Sequence, residues 1–309
     1  TRLPYTPEEA GQIRSKVTSK LKAQAPETLL NQEGRARLLI DTTVVSLGYY
    51  GWGVPTVFDV NDTKIFVALY MLSSGAGFYF PYMMTREIPV PDAQANLSYY
   101  GMTRGILHGV YLKNLILGDN DDGTDLNFRR GVGLGMLGSV SEAFAGFFIP
   151  SKHAMEDGRV AIIEVAGDFG IGFSLGMNYA ADVGSDNLAG GIVLLGSAAG
   201  LAAGGYLSTL DHYTRGDAFA AESVGFLCAY LPLAVTKMID HDNDKSVVAA
   251  AMLGGAGGLY LGHVMTKGQD FTTGQGIMMN LGELAGGLTT LGLAYLISNR
   301  DADNTNLYL

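Results

Sequence analysis

Five carboxylates stand inside otherwise apolar stretches of this chain: Glu142, Glu164, Asp168, Glu222 and Glu283. Two acids that converge in a pocket can share acid and base roles. The array offers no reason for a pocket where two of these converge, so no catalytic residue is assigned. Glu164 and Glu222 lie 58 residues apart, and each is followed three residues on by a glycine, Gly167 and Gly225. Glu283 with Gly286 echoes the pattern three residues out of register. The reading that explains them with least is a carboxylate bonded to hydroxyls or N-terminal amides of a neighbouring helix. The functional alternative is an acidic ladder along a concave surface.

Other candidate chemistry fails on spacing. His108, His153, His212, His241 and His263 show no ligand spacing on a helix, and His108 reads as a satisfied structural histidine. Asp240-His241-Asp242-Asn243-Asp244 begins like a calcium loop, but Lys245 stands where the loop needs glycine and Ala251 where it needs a bidentate Glu. Helix capping by Asp and Asn explains the segment. Gly133 to Gly138 satisfies GxGxxG, yet Phe128-Arg129-Arg130 precedes it instead of a strand. The single cysteine, Cys228, excludes an internal disulfide and a multi-thiolate metal site. We therefore expect no metal and no cofactor. A net charge of -10 argues against nucleic acid, since phosphate binding needs clustered Lys and Arg.

The elements that position these residues follow from a repeat. Gly138, Gly196 and Gly254 are 58 apart, as are Gly146, Gly204 and Gly262, and Gly109, Gly167 and Gly225. The register runs without a gap from about residue 64 to 298, which reads as a tandem array of about four units. Each unit holds two apolar stretches of roughly twenty residues, too long for strands. Gly196, Gly200 and Gly204 form an i, i+4 stripe, repeated as Gly254, Gly258 and Gly262, and Gly282 and Gly286 with Thr290 form another. On a helix such residues share one face. Glycine there costs about 1 kcal/mol against alanine, offset by close approach of helix backbones.

The expected fold is all-α: tandem Gly-rich αα-hairpins, solenoid-like or bundled, at about 62–118, 119–181, 182–239 and 240–298. The domains follow as 1–60, with N-terminal helices and an aromatic loop, 61–298 for the array, and 299–309 for a tail. Thr6-Pro7-Glu8-Glu9 predicts a helix start running to about Gln24, and a second helix runs from about Glu27 toward Leu47. Gly48 to Pro55 predicts a packed aromatic turn that breaks it. Aromatic residues concentrate between Tyr49 and Tyr82. Tyr49, Tyr50, Trp52, Phe58, Tyr79 and Tyr82 are candidates for a partner-binding or capping surface.

Water or membrane is the main alternative. Gly-striped apolar helices of twenty residues suit a bilayer, and 187–210 carries no charge. Against it stand the carboxylates within the apolar runs, and connections without a positive-inside bias. The sequence reading favours a soluble array in an extracytoplasmic, periplasmic setting, with a membrane-embedded channel or transporter as the alternative.

Phe78-Tyr79-Phe80-Pro81, then Tyr100-Gly101-Met102-Thr103-Arg104-Gly105-Ile106-Leu107-His108-Gly109, then Gly-striped hairpins, resemble a family of exported proteins of Bacteroidota. Its nearest functional association is the periplasmic plug subunit of the type 9 secretion translocon. The resemblance covers 50–298. It implies a non-enzymatic scaffold or binding protein that occludes or docks on an outer-membrane pore through protein contacts, and it carries over no catalytic residue.

Overall fold

The computed structural model describes Lys16 and residues 30–118, 123–239 and 244–297; the tail, all but Lys16 of the helix expected from Thr6, and the segment Asp240 to Asn243 lie outside them. Every regular element among the described residues is helical. They are α1 (Arg35–Val45), a π turn (Ser46–Tyr50), α2 (Gly51–Val57), α3 (Thr63–Met84), α4 (Asp92–Leu117), α5 (Thr124–His153), α6 (Asp157–Ala180), α7 (Asp186–Leu210), α8 (Arg215–Ile239), α9 (Asp244–Thr266) and α10 (Thr273–Ile297). The eight long helices from α3 onward match the number expected.

The helices form two rows. α1–α2, α4, α6, α8 and α10 run one way, each beside the next. α3, α5, α7 and α9 run the other way. Of these, α5 touches α2 and α4, α7 touches α4 and α6, and α9 touches α6 and α8. One end of the molecule therefore gathers the starts of α4, α6, α8 and α10. There Asp217 is fully buried and accepts from the amides of Thr214 and Phe271, while the Thr214 hydroxyl accepts from the Asp217 amide. This reciprocal cap satisfies the amides of Thr214 and Asp217 at the start of α8 and ties the start of α10 to it.

The tight pairs are α4 with α5, α6 with α7, and α8 with α9. They straddle the expected hairpin boundaries, which joined α5 to α6, α7 to α8 and α9 to α10. The cause lies in where the small residues meet. A Cβ added at Gly200 would lie 2.9 Å from the Gly170 Cα, and one at Gly204 2.7 Å from the Ile163 Cα. At Gly258 it would lie 2.8 Å from the Val224 carbonyl, and at Gly262 2.6 Å from the Ala221 Cα. Gly196 packs on Gly170 and Ser174, and Gly254 on Cys228 and Pro232. Each stripe faces the helix before it, and backbone contact at such range excludes any larger side chain.

Three local expectations are corrected. Gly282 and Gly286 were expected to pack, yet a Cβ at either would meet no described atom within 4 Å. Among the described residues, α10 packs mainly on α8. The segment from Gly48 to Pro55 is no loop: the π turn carries the helix through into α2. Two of its three glycines serve approach, since a Cβ at Gly51 would meet Ser74 and Tyr70, and one at Gly53 would meet Met136. The helix expected from Glu27 begins at Arg35, because residues 31–34 lie along the start of α4. Val90 donates to the Asn31 carbonyl, and Gly34 donates to the Val90 carbonyl.

The glycine ladder also slips at its first member. Gly105 faces Gly138, Gly170 faces Gly196, and Cys228 faces Gly254. The chain between facing residues is 33 long in the first case and 26 in the other two. The extra seven residues are close to two helical turns, so the glycines stay on the facing side.

Candidate functional site

Large apolar side chains stand exposed on every helix from α3 to α10. Leu195 on α7 and Leu253 on α9 are 73% and 72% exposed. Among the described residues, five helical segments are long and apolar enough to cross a membrane: Thr63–Met84, Asp125–His153, Asp157–Ala180, Asp186–Leu210 and Asp244–Thr266. Against this apolar exterior, the charges within the helices turn toward each other.

Arg104 lies near the middle of α4 and Asp168 near the middle of α6. The guanidinium donates through Nε to Oδ1 at 2.8 Å and through Nη2 to Oδ2 at 2.5 Å. This fork fixes both side chains at once. The Arg104 guanidinium also lies 5.1 Å from the centre of the Tyr100 ring. One turn further along α4, His108 donates from Nδ1 to both oxygens of Glu142 on α5, at 2.8 and 2.9 Å. The expectation of a structurally bonded histidine holds for that nitrogen. Its Nε2 makes no hydrogen bond within the protein.

Toward the capped end, Asp157 accepts from Asn96 and, at 3.0 Å, from Arg215. Arg215 also reaches Glu164 at 3.7 Å. On the far side, Glu222 accepts from the Asn280 amide at 2.9 Å, and Ser223 bonds the same asparagine. The partners expected for Glu164 and Glu222, hydroxyls or helix-start amides, are thus a guanidinium and a side-chain amide. Asn280 stands 58 residues after Glu222, in the register Glu283 misses. The sequence reading overlooked it because it is uncharged. It also overlooked Arg104 as a partner, although a lone cation in the middle of an apolar helix requires an acid at matching depth.

Between α4, α5, α6 and α7 lies a cavity of about 410 Å³, with walls including Leu97, Ile149, Ile163 and Leu201. Tyr100, His108, Glu142 and Ser197 also line it. Tyr100, His108 and Ser197 are more than nine-tenths buried, yet the Tyr100 hydroxyl, the Ser197 hydroxyl and His108 Nε2 form no hydrogen bond within the protein. An unpaired buried polar atom costs about 1–3 kcal/mol, and these three are closed off from solvent within the helix packing. No group of His, Cys, Asp and Glu able to hold a metal occurs among the described residues.

The aromatic candidates divide. Tyr49 donates to the Val132 carbonyl at 3.0 Å, and Tyr50 shares a 2.6 Å bond with Ser139, so both fasten the N-terminal helix to α5. Trp52 donates to the Gly48 carbonyl and stacks on Phe128. Phe58 is 73% exposed, Tyr79 is exposed, and Tyr82 lies under the Arg35 guanidinium. At the capped end, outside the apolar segments, burial and the acids Asp211 and Asp217 push the Tyr213 hydroxyl pKa up. Tyr213 bonds His263 there.

No protein-family model, curated protein or solved structure matches the chain.

Proposed function

We propose that this chain is an integral membrane protein, a tandem array of Gly-packed helices with a polar interior that passes or carries a small cation. One observation carries the reading. Glu142, Glu164, Asp168 and Glu222 all bond to other helices, while the outward faces of the same helices are apolar and exposed. Charges inside membrane segments follow that rule: they face the bundle interior and pair. The carboxylates that made the sequence look unsuited to a bilayer thus lose their force as an objection.

Further features support it. Exposed tyrosines sit within two turns of the capped-end termini of the second row: Tyr79 and Tyr82 on α3, Tyr206 on α7, and Tyr260 on α9. Tyrosines gather at that depth where a membrane meets water. The bonded polar network holds Asp157, Glu164, Asp168, Glu142 and Glu222 against Arg104 and Arg215, an acidic excess that favours cations. For the array, the contacts of Gly196, Gly200 and Gly204 recur 58 residues on at Gly254, Gly258 and Gly262. No step of bond-making chemistry is assigned.

Alkaline carbonate washing of membranes tests the embedding. The chain should stay with the lipid and leave only with detergent. Release by carbonate would sink the reading. Reconstituted in vesicles, it should then support a cation flux that Glu142→Gln reduces; absence of flux would remove the carrier role and leave the embedding.

The exposed Phe58 and Tyr79 favour a second reading, a non-enzymatic scaffold docked on a protein partner such as an outer-membrane secretion pore. It shares its basis with the family resemblance, which rests on the quoted residues alone. Detergent-free solubility together with partner recovery in a pull-down that Phe58→Ala abolishes would favour it.

A further inference from the structure

We propose that the groove between α3 and α5 holds one acyl chain of a bilayer phospholipid, whose phosphate pairs with Arg35. The inference rests on the membrane reading and adds to it a lipid that belongs to the structure.

The space follows from how α3 is seated. α3 packs on α1, the π turn and α2, while α5 packs on α2 and α4. Between them, over α1, lies a cavity of about 460 Å³, within the range of small-molecule sites. Phe80 and Met84 line it from α3, Phe144 and Phe148 from α5, and Leu38 from α1. The same four α3 and α5 residues are exposed, so the groove opens onto the apolar exterior.

The hydroxyls along the groove are already engaged. Thr42 donates to the Leu38 carbonyl at 2.8 Å, Ser73 to the Leu69 carbonyl at 2.6 Å and Thr85 to the Pro81 carbonyl at 2.7 Å. Tyr50 is bonded to Ser139, and the Ser46 hydroxyl is sealed from solvent. A cavity of this kind stays dry and takes hydrocarbon. With no polar group in the walls to orient a head, the part of the occupant inside is a chain.

The head is set by the end of the groove. At the capped end, where α1 begins and α3 and α5 finish, Thr85 and Ile88 line it. There Arg35 donates from Nε to the Thr85 hydroxyl at 3.2 Å and from Nη2 to the Tyr82 carbonyl at 3.1 Å. Its guanidinium lies 4.9 Å from the centre of the Tyr82 ring. Among the described residues no carboxylate stands at ion-pair distance from Arg35. Tyr82 is one of the exposed tyrosines at the depth where a membrane meets water, which is also the depth of lipid headgroups. A half-buried guanidinium without a carboxylate is matched there by a phosphate. An apolar groove and an uncompensated cation at its headgroup end together describe a phospholipid.

Native mass spectrometry of the full chain, purified gently from membranes, tests this first. One phospholipid should remain bound; a retained fatty acid in its place would overturn the proposal. The chain is then stripped by detergent exchange and titrated with dioleoylphosphatidylglycerol and with dioleoylglycerol, with bound mass and unfolding midpoint as readouts. The phospholipid should bind saturably and raise the midpoint. Dioleoylglycerol, which has the same chains and no phosphate, should bind about tenfold more weakly. Arg35→Gln should remove that advantage and Arg35→Lys should keep part of it. Ala143→Phe, which fills the groove from α5, should abolish saturable binding of both; if it does not fold, Ala76→Phe fills the groove from α3. Equal binding of the two probes, no saturable binding, or binding that survives a filled groove would each overturn the proposal. The carbonate wash reads the embedding separately, so a chain that stays in the membrane and binds no lipid fails this inference and leaves the membrane reading standing.

Discussion

The stripe on α7 and the stripe on α10 look alike in sequence and behave differently in space. Gly196, Gly200 and Gly204 press on the backbone of α6 at distances where no side chain fits. A Cβ added at Gly282 or Gly286 would meet no described atom within 4 Å. The same contrast holds for the polar rungs. Arg104 and Asp168 join two helices that each have neighbours on both sides, whereas Glu222 and Asn280 join α8 to a helix that packs, among the described residues, mainly on α8. A row of glycines is a capacity for approach. Only a helix in the right place turns it into contact.

The comparison breaks most sharply at Gly258. Gly258→Leu drives a side chain into α8 backbone and should cost about 3 kcal/mol or prevent folding, because helix axes must part. Thermal unfolding in detergent checks this, and a midpoint equal to the parent's would refute the packing role. Arg104→Met leaves Asp168 without its cation and should cost about 2–3 kcal/mol. Adding Asp168→Leu should restore most of the loss, since an apolar pair replaces an ion pair at little cost. No recovery in the double variant would mean that the rung is not a pairwise contact. Asp217→Ala removes the tie between the starts of α8 and α10 and should cost about 1–2 kcal/mol. Hydrogen exchange should quicken in α10 and not in α6; uniform quickening would place the tie elsewhere. Gly282→Leu is the smallest change. It should leave stability within about 1 kcal/mol, with helix propensity favouring the leucine. A large loss there would show that α10 packs more closely than its surroundings indicate.

The all-helical fold and the count of long helices were legible because twenty-residue apolar stretches with glycines at four admit little else. Which helices pair tightly was not. A period of 58 fixes how often a pair occurs, and it leaves open which of two short connections closes it. Three and six residues separate consecutive helices at 154–156 and 118–123. Both are short enough for a hairpin. The answer sat in the opposing small residues, Gly170 beneath Gly196 and Ala221 beneath Gly262, which lie on the preceding helix. The cavity was less legible still. Tyr100, His108, Glu142 and Ser197 come from three helices and share no spacing, and each alone reads as an ordinary core polar residue. Glu142 was visible as an acid in an apolar run, but its partner had to come from another helix.

The contact pattern has a consequence for how the chain is made. Each helix after the first finds a neighbour among the three that precede it: α5 meets α2 and α4, α7 meets α4 and α6, and α9 meets α6 and α8. No helix waits for a segment far downstream. Loop closures stay short, and assembly can keep pace with synthesis, each arriving helix docking on a surface already in place. Among the described residues, α10 docks in this way on α8.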